Sequence, residues 1–345
     1  MKSIAAAGIS VAAVVLLALS PCVHAATIHV ANNGVDSAAC GPSGNACRSI
    51  TKAIHHAVKG DVIVVGPGKY GDLNGNGVLG EPGEEAPPAN CSCVLVVNKV
   101  VTIQSSDGAA STVIDARTVD VLDNVEITAN GAIFGKAGLG FTVTETKAAT
   151  TSNCFGIDLA TAKDVRVQGN LVVDSHRCPG QGEGITAGAF TPGGGLIQDN
   201  QVVGWDIGIN AGPDIVEHNV VQLNGTGIYA AGAAVTGNVV TGNQTGIEVT
   251  NSAASATGNA VLGNEVGIWV VSLDGTIANV ESNNVFGNSS CGVQFSADNV
   301  VATHNYWGRA SGPLPPIDTC GSGAGTAIVT PFATKPFTIT APVNP

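Results

Sequence analysis

Seven positions, Asp158, Thr186, Asn210, Tyr229, Glu248, Trp269 and Gln294, each follow a Gly-Ile or Gly-Val pair. If that Ile or Val enters a core, the next residue faces out, because successive strand side chains point opposite ways. On neighbouring strands about 4.8 Å apart, the seven form one outward row. The row sets a carboxylate, Glu248, between two aromatics, Tyr229 and Trp269. Aromatic faces suit the apolar faces of sugar rings, and adjacent polar groups suit the hydroxylated ring edges. With three Trp and three Tyr in the chain, one of each on a single row concentrates scarce residue types. Asp158, Asn210, Tyr229, Glu248 and Trp269 are therefore the candidate substrate-binding residues. The alternative is a plain solvent-facing strand surface.

A second constellation joins His176, Asp206 and Arg177. His176 lies six residues after Asn170, and Asp206 six after Asn200, which makes them neighbours on adjacent repeats, with Arg177, Trp205 and Glu183 close by. Imidazole, carboxylate and guanidinium are the groups a lyase or hydrolase needs to move a proton and stabilise an anion. Insertions around 176–184 and 186–195 enlarge the region, and long loops often carry function. The alternative is a loop salt bridge. A third constellation is Asp72, Asn74, Asn76 and Glu84, in Asp72-Leu73-Asn74-Gly75-Asn76-Gly77. Oxygen ligands at alternate positions with Gly at the sixth match a calcium loop. The closing Glu84 falls thirteenth rather than twelfth, and no helices flank the loop. Calcium is the one cofactor expected, in a structural role; a polar Gly/Asn turn is the alternative.

Six segments that resemble one another position these residues: 169–175, 199–205, 218–228, 237–247, 258–268 and 283–293. The Gly of the Gly-Ile pair recurs at Gly208, Gly227, Gly246 and Gly267, in steps of 19, 19 and 21. Repeats this short cannot bury an apolar face alone and must stack. Val172, Val202, Val221, Val240, Val261 and Val285 form an inward row, and Asn170, Asn200, Asn219, Asn238, Asn259, Asn283 and Asn305 occupy a bend. Asn tolerates left-handed backbone angles, and its amide can bond across coils. Ahead of the repeats, 49–59 reads as a helix with Ile50, Ala53, Ile54, Ala57 and Val58 on one face and Ser49 as its cap, a lid for the open end of the stack.

The 345 residues carry a net charge of −12, which disfavours nucleic acid or an anionic membrane as partner. Residues 1–25 read as a signal peptide, with a positive start, an apolar stretch and a Val-His-Ala cleavage pattern; no later apolar run would span a membrane. The expected location is extracellular or periplasmic. Of nine cysteines, eight follow the leader, and export favours disulfides. The expected pairs are Cys154 with Cys178 and Cys291 with Cys320, each tying one coil to the next. Cys40, Cys47, Cys91 and Cys93 pair among themselves.

Residues 46–70, ACRSITKAIHHAVKGDVIVVGPGKY, resemble the entry segment of pectate-lyase-like right-handed parallel β-helix proteins. The repeats at 169–305 look like their coils, and HNYWGRASGP at 304–313 looks like their usual ending. The resemblance implies an all-β, single-stranded right-handed parallel β-helix of about ten coils with an N-terminal capping helix. The expected layout is 26–60 as strand, Cys loop and helix, 61–310 as β-helix with a long loop at 71–93, and 311–345 as cap and tail. The resemblance implies no particular activity, because this fold hosts many. The Asn-Thr-Asp and Arg-Ile-Lys patterns of β-helix polygalacturonases and the Asp-Pro-His-Asp of alginate epimerases do not occur in the sequence. Two functions follow: a secreted protein that binds polysaccharide or a cell-surface glycan without catalysis, or a polysaccharide lyase or related carbohydrate-active enzyme.

Overall fold

A computed structural model describes residues 25–147, 153–175, 178, 180–187, 193–250, 253–271, 277–296, 299–323 and 325–341. Short runs of Val, Ile and Thr, punctuated by Gly and Asn, form strands of two to five residues. A typical coil contributes Ile215–Glu217, Val220–Gln222 and Thr226–Ala230, one strand to each of three sheets, and Ala234–Thr236, Val239–Thr241 and Thr245–Val249 form the next. Stacking yields a 12-stranded sheet A, a 9-stranded sheet B and a 10-stranded sheet C. Neighbouring strands pair in parallel, as at Val216 with Val235, Val221 with Val240 and Ile228 with Ile247. The molecule is a parallel β-helix.

Three inward rows fill its interior. Val172, Val202, Val221, Val240, Val261 and Val285 pair in register on sheet B and are fully buried. Ile157, Ile185, Ile209, Ile228, Ile247 and Ile268 do the same on sheet C, and Val167, Ile197, Val216 and Val235 on sheet A. Like side chains stacked at a constant spacing pack without voids.

The Asn row at the corner between sheets A and B is a hydrogen-bonded ladder. Asn200 donates its backbone N–H and its Nδ2 to Asn219 Oδ1, at 3.0 and 3.1 Å, and Asn219 does the same to Asn238, at 2.9 and 3.0 Å. The ladder continues through Asn259 and Asn283 to Asn305. The Asn residues themselves do not adopt the left-handed backbone. That falls to the residue before each, Gly169, Asp199, His218, Gly237, Gly258, Ser282 and His304, with φ between 54° and 68°. The preceding residue makes the sharp turn, which frees the Asn amide to aim inward. A second ladder, Asn224, Asn243, Asn264 and Asn288, marks the corner between sheets B and C. Trp205 stands one coil earlier, is buried, and donates its backbone N–H to Asn224 Oδ1.

One helix, α1 (Ile50–His56), occurs among the described residues. Ser49 Oγ accepts the Lys52 N–H, as its cap position predicts, and Ile50, Ala53 and Ile54 are buried. The helix ends three residues short of 59, because Ala57 turns to an extended backbone at ψ 149°. It packs against the strands Thr27–Val30, Val62–Val65 and Cys93–Val97, near the first coil. Disulfides join Cys40 to Cys47, Cys91 to Cys93, Cys154 to Cys178 and Cys291 to Cys320. No described helix is long and apolar enough to cross a membrane. The expected leader, apart from Ala25, lies outside the described residues.

Candidate active site on sheet C

Each strand of sheet C in the regular coils has one shape. Thr226 faces out, Gly227 and Ile228 are buried, Tyr229 faces out and Ala230 is buried. The Gly is required by the close approach of the next coil. A Cβ on Gly227 would lie 2.5 Å from the carbonyl oxygen of Gly246, and one on Gly246 would lie 2.5 Å from that of Gly267. The outward row predicted from the sequence is in register: Asp158 pairs with Thr186, then Asn210, Tyr229, Glu248, Trp269 and Gln294 follow strand by strand. All are half-buried except Thr186, which is buried. Burial between its neighbours raises the Glu248 carboxyl above the usual carboxylate range.

The row extends one coil earlier, where Glu126 pairs with Asp158. A second outward row runs beside it, with Asp123, Phe155, Glu183 and Ile207 on successive strands. Three adjacent strands, Asp123–Ile127, Cys154–Asp158 and Gly182–Thr186, thus carry four carboxylates on one face. Asp123 is 7 % exposed, and its Oδ1 is buried without a hydrogen-bond partner. Burial, reinforced by the negative charges of Asp158 and Glu126, pushes its carboxyl up to about 8. Burial also pushes Asp158 up to about 6, opposed by the Ala160 N–H that its Oδ1 accepts at 2.8 Å and aided by Glu126 and Glu183. Glu183 is buried and accepts the Asn210 Nδ2 at 3.0 Å. The Cys91–Cys93 disulfide walls one side: Cys91 Sγ lies 2.9 Å from Glu126 Oε2, and Cys93 is the strand partner of Asp123.

Among the described residues, two groups of three or more His, Cys, Asp or Glu side chains bring ligand atoms within 4.8 Å of one another: Asp36 with Cys40 and Cys47, and Glu126 with Cys91 and Cys93. Their sulfurs are in disulfides and offer no thiolate. The four carboxylates of sheet C form no such cage. What they can do is hold and transfer protons: Asp123, pushed up to about 8, holds its proton to higher pH than Asp158 on the neighbouring strand, pushed up to about 6.

Asp206 lies at the corner leading into sheet C, exposed, with its Oδ2 accepting the Gly182 N–H at 2.8 Å. It lines a cleft of ≈ 350 Å³ with Asp174, Trp205, Asn224 and Gln244. His176 and Arg177 lie outside the described residues, so their expected meeting with Asp206 has no geometry here. Trp205 is buried, with its Nε1 donating to the Val172 carbonyl at 3.3 Å, and offers no platform. The insertion expected over 176–184 is shorter than that, because Gly182–Thr186 is a strand of sheet C. Asp72, Asn74, Asn76 and Glu84 form a separate loop that rests on Thr118, whose Oγ1 donates to Asp72 Oδ2 at 2.7 Å.

Asp123 and Glu126 escape a reading by motif. Val125-Glu126 has the same apolar-then-acid order as Ile157-Asp158, but the preceding residue is Asn124 rather than Gly. Asn124 is buried and donates its Nδ2 to the carbonyls of Ile114 and Thr144, a substitute for the close packing that Gly allows elsewhere. The order of apolar and acidic residues was the one usable signal.

No family model matches the chain, and no curated protein matches it. Among solved structures it is similar to the pectate lyase Pel9A, at 14% identity over 90% of this chain and 78% of that one, with a TM-score of 0.51. It is also similar to XylC in complex with xylose, at 12% identity, 90% and 70% coverage and a TM-score of 0.52. A third is the GH136 lacto-N-biosidase from Eubacterium ramulus, at 11% identity, 90% and 68% coverage and a TM-score of 0.53. At these identities the likeness is one of fold: the chain has the parallel β-helix fold of these proteins.

Proposed function

We propose that this protein is a carbohydrate-active enzyme that lays a glycan along the outer face of sheet C and cleaves a glycosidic bond at the carboxylate group of Asp123, Glu126, Asp158 and Glu183. One observation carries the reading. Two carboxyls on neighbouring strands, with raised and different pKa values of about 8 and about 6, lie on the same face as the Asn210–Tyr229–Glu248–Trp269 row. Asp123 acts as the general acid that protonates the leaving oxygen. Asp158 acts as the ionised partner, serving as base or nucleophile. Asn210 and Glu183 position each other, and the aromatic row binds sugar rings away from the bond that breaks. With Asp123 protonated, the remaining carboxylates of the group, on a chain of net charge −12, repel uronates, so the substrate is a neutral glycan. The three similar solved structures, described as a pectate lyase, a xylose complex and a lacto-N-biosidase, support a carbohydrate-related role.

A panel of neutral and anionic polysaccharides, assayed for new reducing ends and for unsaturated products, tests this. The expected result is new reducing ends from a neutral glycan, reduced at least about 100-fold in Asp158→Asn, as expected for a general acid–base or nucleophilic group. Unsaturated products from an anionic glycan would replace hydrolysis by elimination. Retention of a glycan with no turnover would restore the second reading, binding without catalysis, which the half-buried aromatic row alone would serve.

A further inference from the structure

The excursion between the strands Gly68–Gly71 and Cys93–Val97 carries an oxygen-rich loop that the glycan reading does not use. Asp72 is fully buried, yet no basic side chain among the described residues pairs with it; its oxygens accept the N–H groups of Gly75 and Gly77 and the Thr118 hydroxyl. Asn74 Oδ1 accepts the Asn76 N–H at 2.9 Å, and Asn76 Oδ1 accepts the Val78 N–H at 2.8 Å. Gly75 and Gly77, at φ 77° and 82°, supply the left-handed turns that curl the loop round these oxygens. Glu84 closes the loop from its far end: its Oε1 accepts the N–H groups of Leu73 and Asn74, at 3.0 and 3.4 Å. The other oxygen of the same carboxylate, Glu84 Oε2, is buried and has no partner, on a residue 4 % exposed. A buried carboxylate oxygen without a donor is costly unless something positive meets it.

We propose that residues 72–84 bind one calcium ion, with Asp72, Asn74, Asn76, the Val78 carbonyl and Glu84 supplying the oxygens. Each oxygen has the capacity. Asp72 Oδ1 and the two Asn Oδ1 atoms each accept a single N–H and keep a lone pair, and Glu84 Oε2 keeps both. Neutral amides, a peptide carbonyl and two carboxylates form a hard, all-oxygen ligand set that suits calcium over softer metals. The ion also has a mechanical consequence. Glu85, next to Glu84, accepts the N–H groups of Ile50 and Thr51 and the Thr51 hydroxyl at the start of α1, at 2.8, 2.7 and 2.5 Å. Calcium at Glu84 therefore fixes the clasp that holds α1 against the first coils. The site is independent of the glycan face, and either can fail without the other.

Titration calorimetry of the whole protein with calcium chloride, after EGTA treatment and dialysis, tests the site. The expected result is one calcium per chain, with a dissociation constant at or below the millimolar values of extracellular modules. Affinity should fall at least about tenfold in Glu84→Gln and in Asn76→Ala, since each loses a ligand, and stay unchanged in Asp158→Asn. Asn76 is exposed, so its variant tests the site even if Glu84→Gln fails to fold. Calcium should also slow proteolysis within 72–92 several-fold in the wild type and not in Asn76→Ala. No binding at millimolar calcium, or binding lost in Asp158→Asn but kept in Asn76→Ala, overturns the proposal.

Discussion

Asp123 has the most to lose by ionising. Its folded pKa, about 8, stands far above the unfolded value near 4. Between these values the folded state holds a proton that the unfolded state has released, so stability falls as pH rises from about 4 to about 8. Above that window the penalty is complete; below it there is none. Asp123→Asn removes the ionisable group while keeping its shape. The variant should be more stable than wild type at pH 8, by about 2 kcal/mol once relaxation of the site is allowed for, and no more stable at pH 4. Thermal melts at the two pH values check this, and an equal shift at both would mean that packing rather than charge is responsible. In the proposed mechanism the same two groups would set the activity profile. Turnover should rise as Asp158 ionises near 6 and fall as Asp123 ionises near 8, both being macroscopic values of a coupled pair. A pH–rate curve flat from 5 to 9 would remove both residues from the chemistry.

The asparagine ladders act at the level of the coil. Asn219 accepts two hydrogen bonds from Asn200 and gives its Nδ2 to the Ile197 and Glu217 carbonyls and to Asn238. Asn219→Ala would leave donors and acceptors of two neighbouring coils buried and unpaired, at a cost of about 3 kcal/mol. Gln222→Ala, on the outer face of the next strand, should cost under about 0.5 kcal/mol. Chemical denaturation of both variants measures the difference, and similar midpoints would mean that the ladder contributes little. The first ladder was legible because its Asn recur at fixed offsets from Val and Gly-Ile. The second was equally periodic, five residues after the first at Asn224, Asn243, Asn264 and Asn288, but its role needed the burial that only the fold reveals. The outward row from Asp158 to Gln294 was legible because each member follows a Gly-Ile or Gly-Val pair. Of the four carboxylates, Asp158 lay on that row and Glu183 beside the second constellation, but Asp123 and Glu126 were not legible. Glu126 and Asp158 pair directly yet stand 32 residues apart, whereas Asn210, Tyr229 and Glu248 recur every 19. Where coil length varies, sequence spacing ceases to report register, and the site lies in the irregular coils.

At the scale of the whole molecule, the glycan site proposed on sheet C is a track running from strand to strand. From the strand of Asp158 to that of Trp269 there are five strand steps, about 24 Å at about 4.8 Å each. A short oligosaccharide bound at the carboxylates cannot reach Trp269, whereas a longer chain can. The three tryptophans make this measurable: Trp205 and Trp307 are fully buried, and Trp269 is half-exposed on the track. Changes in tryptophan fluorescence on adding glycan should therefore report Trp269. We expect no signal from disaccharides and a saturable one once the glycan spans the track. Trp269→Ala should weaken the affinity for long glycans about tenfold, the value of about 1 kcal/mol or slightly more from ring stacking. It should leave short-substrate turnover unchanged, because the proposed cleavage site lies at the far end of the row. If Trp269→Ala lowers turnover of long and short substrates equally, the glycan does not run along sheet C, and the carboxylates must be served by a substrate that approaches across the strands.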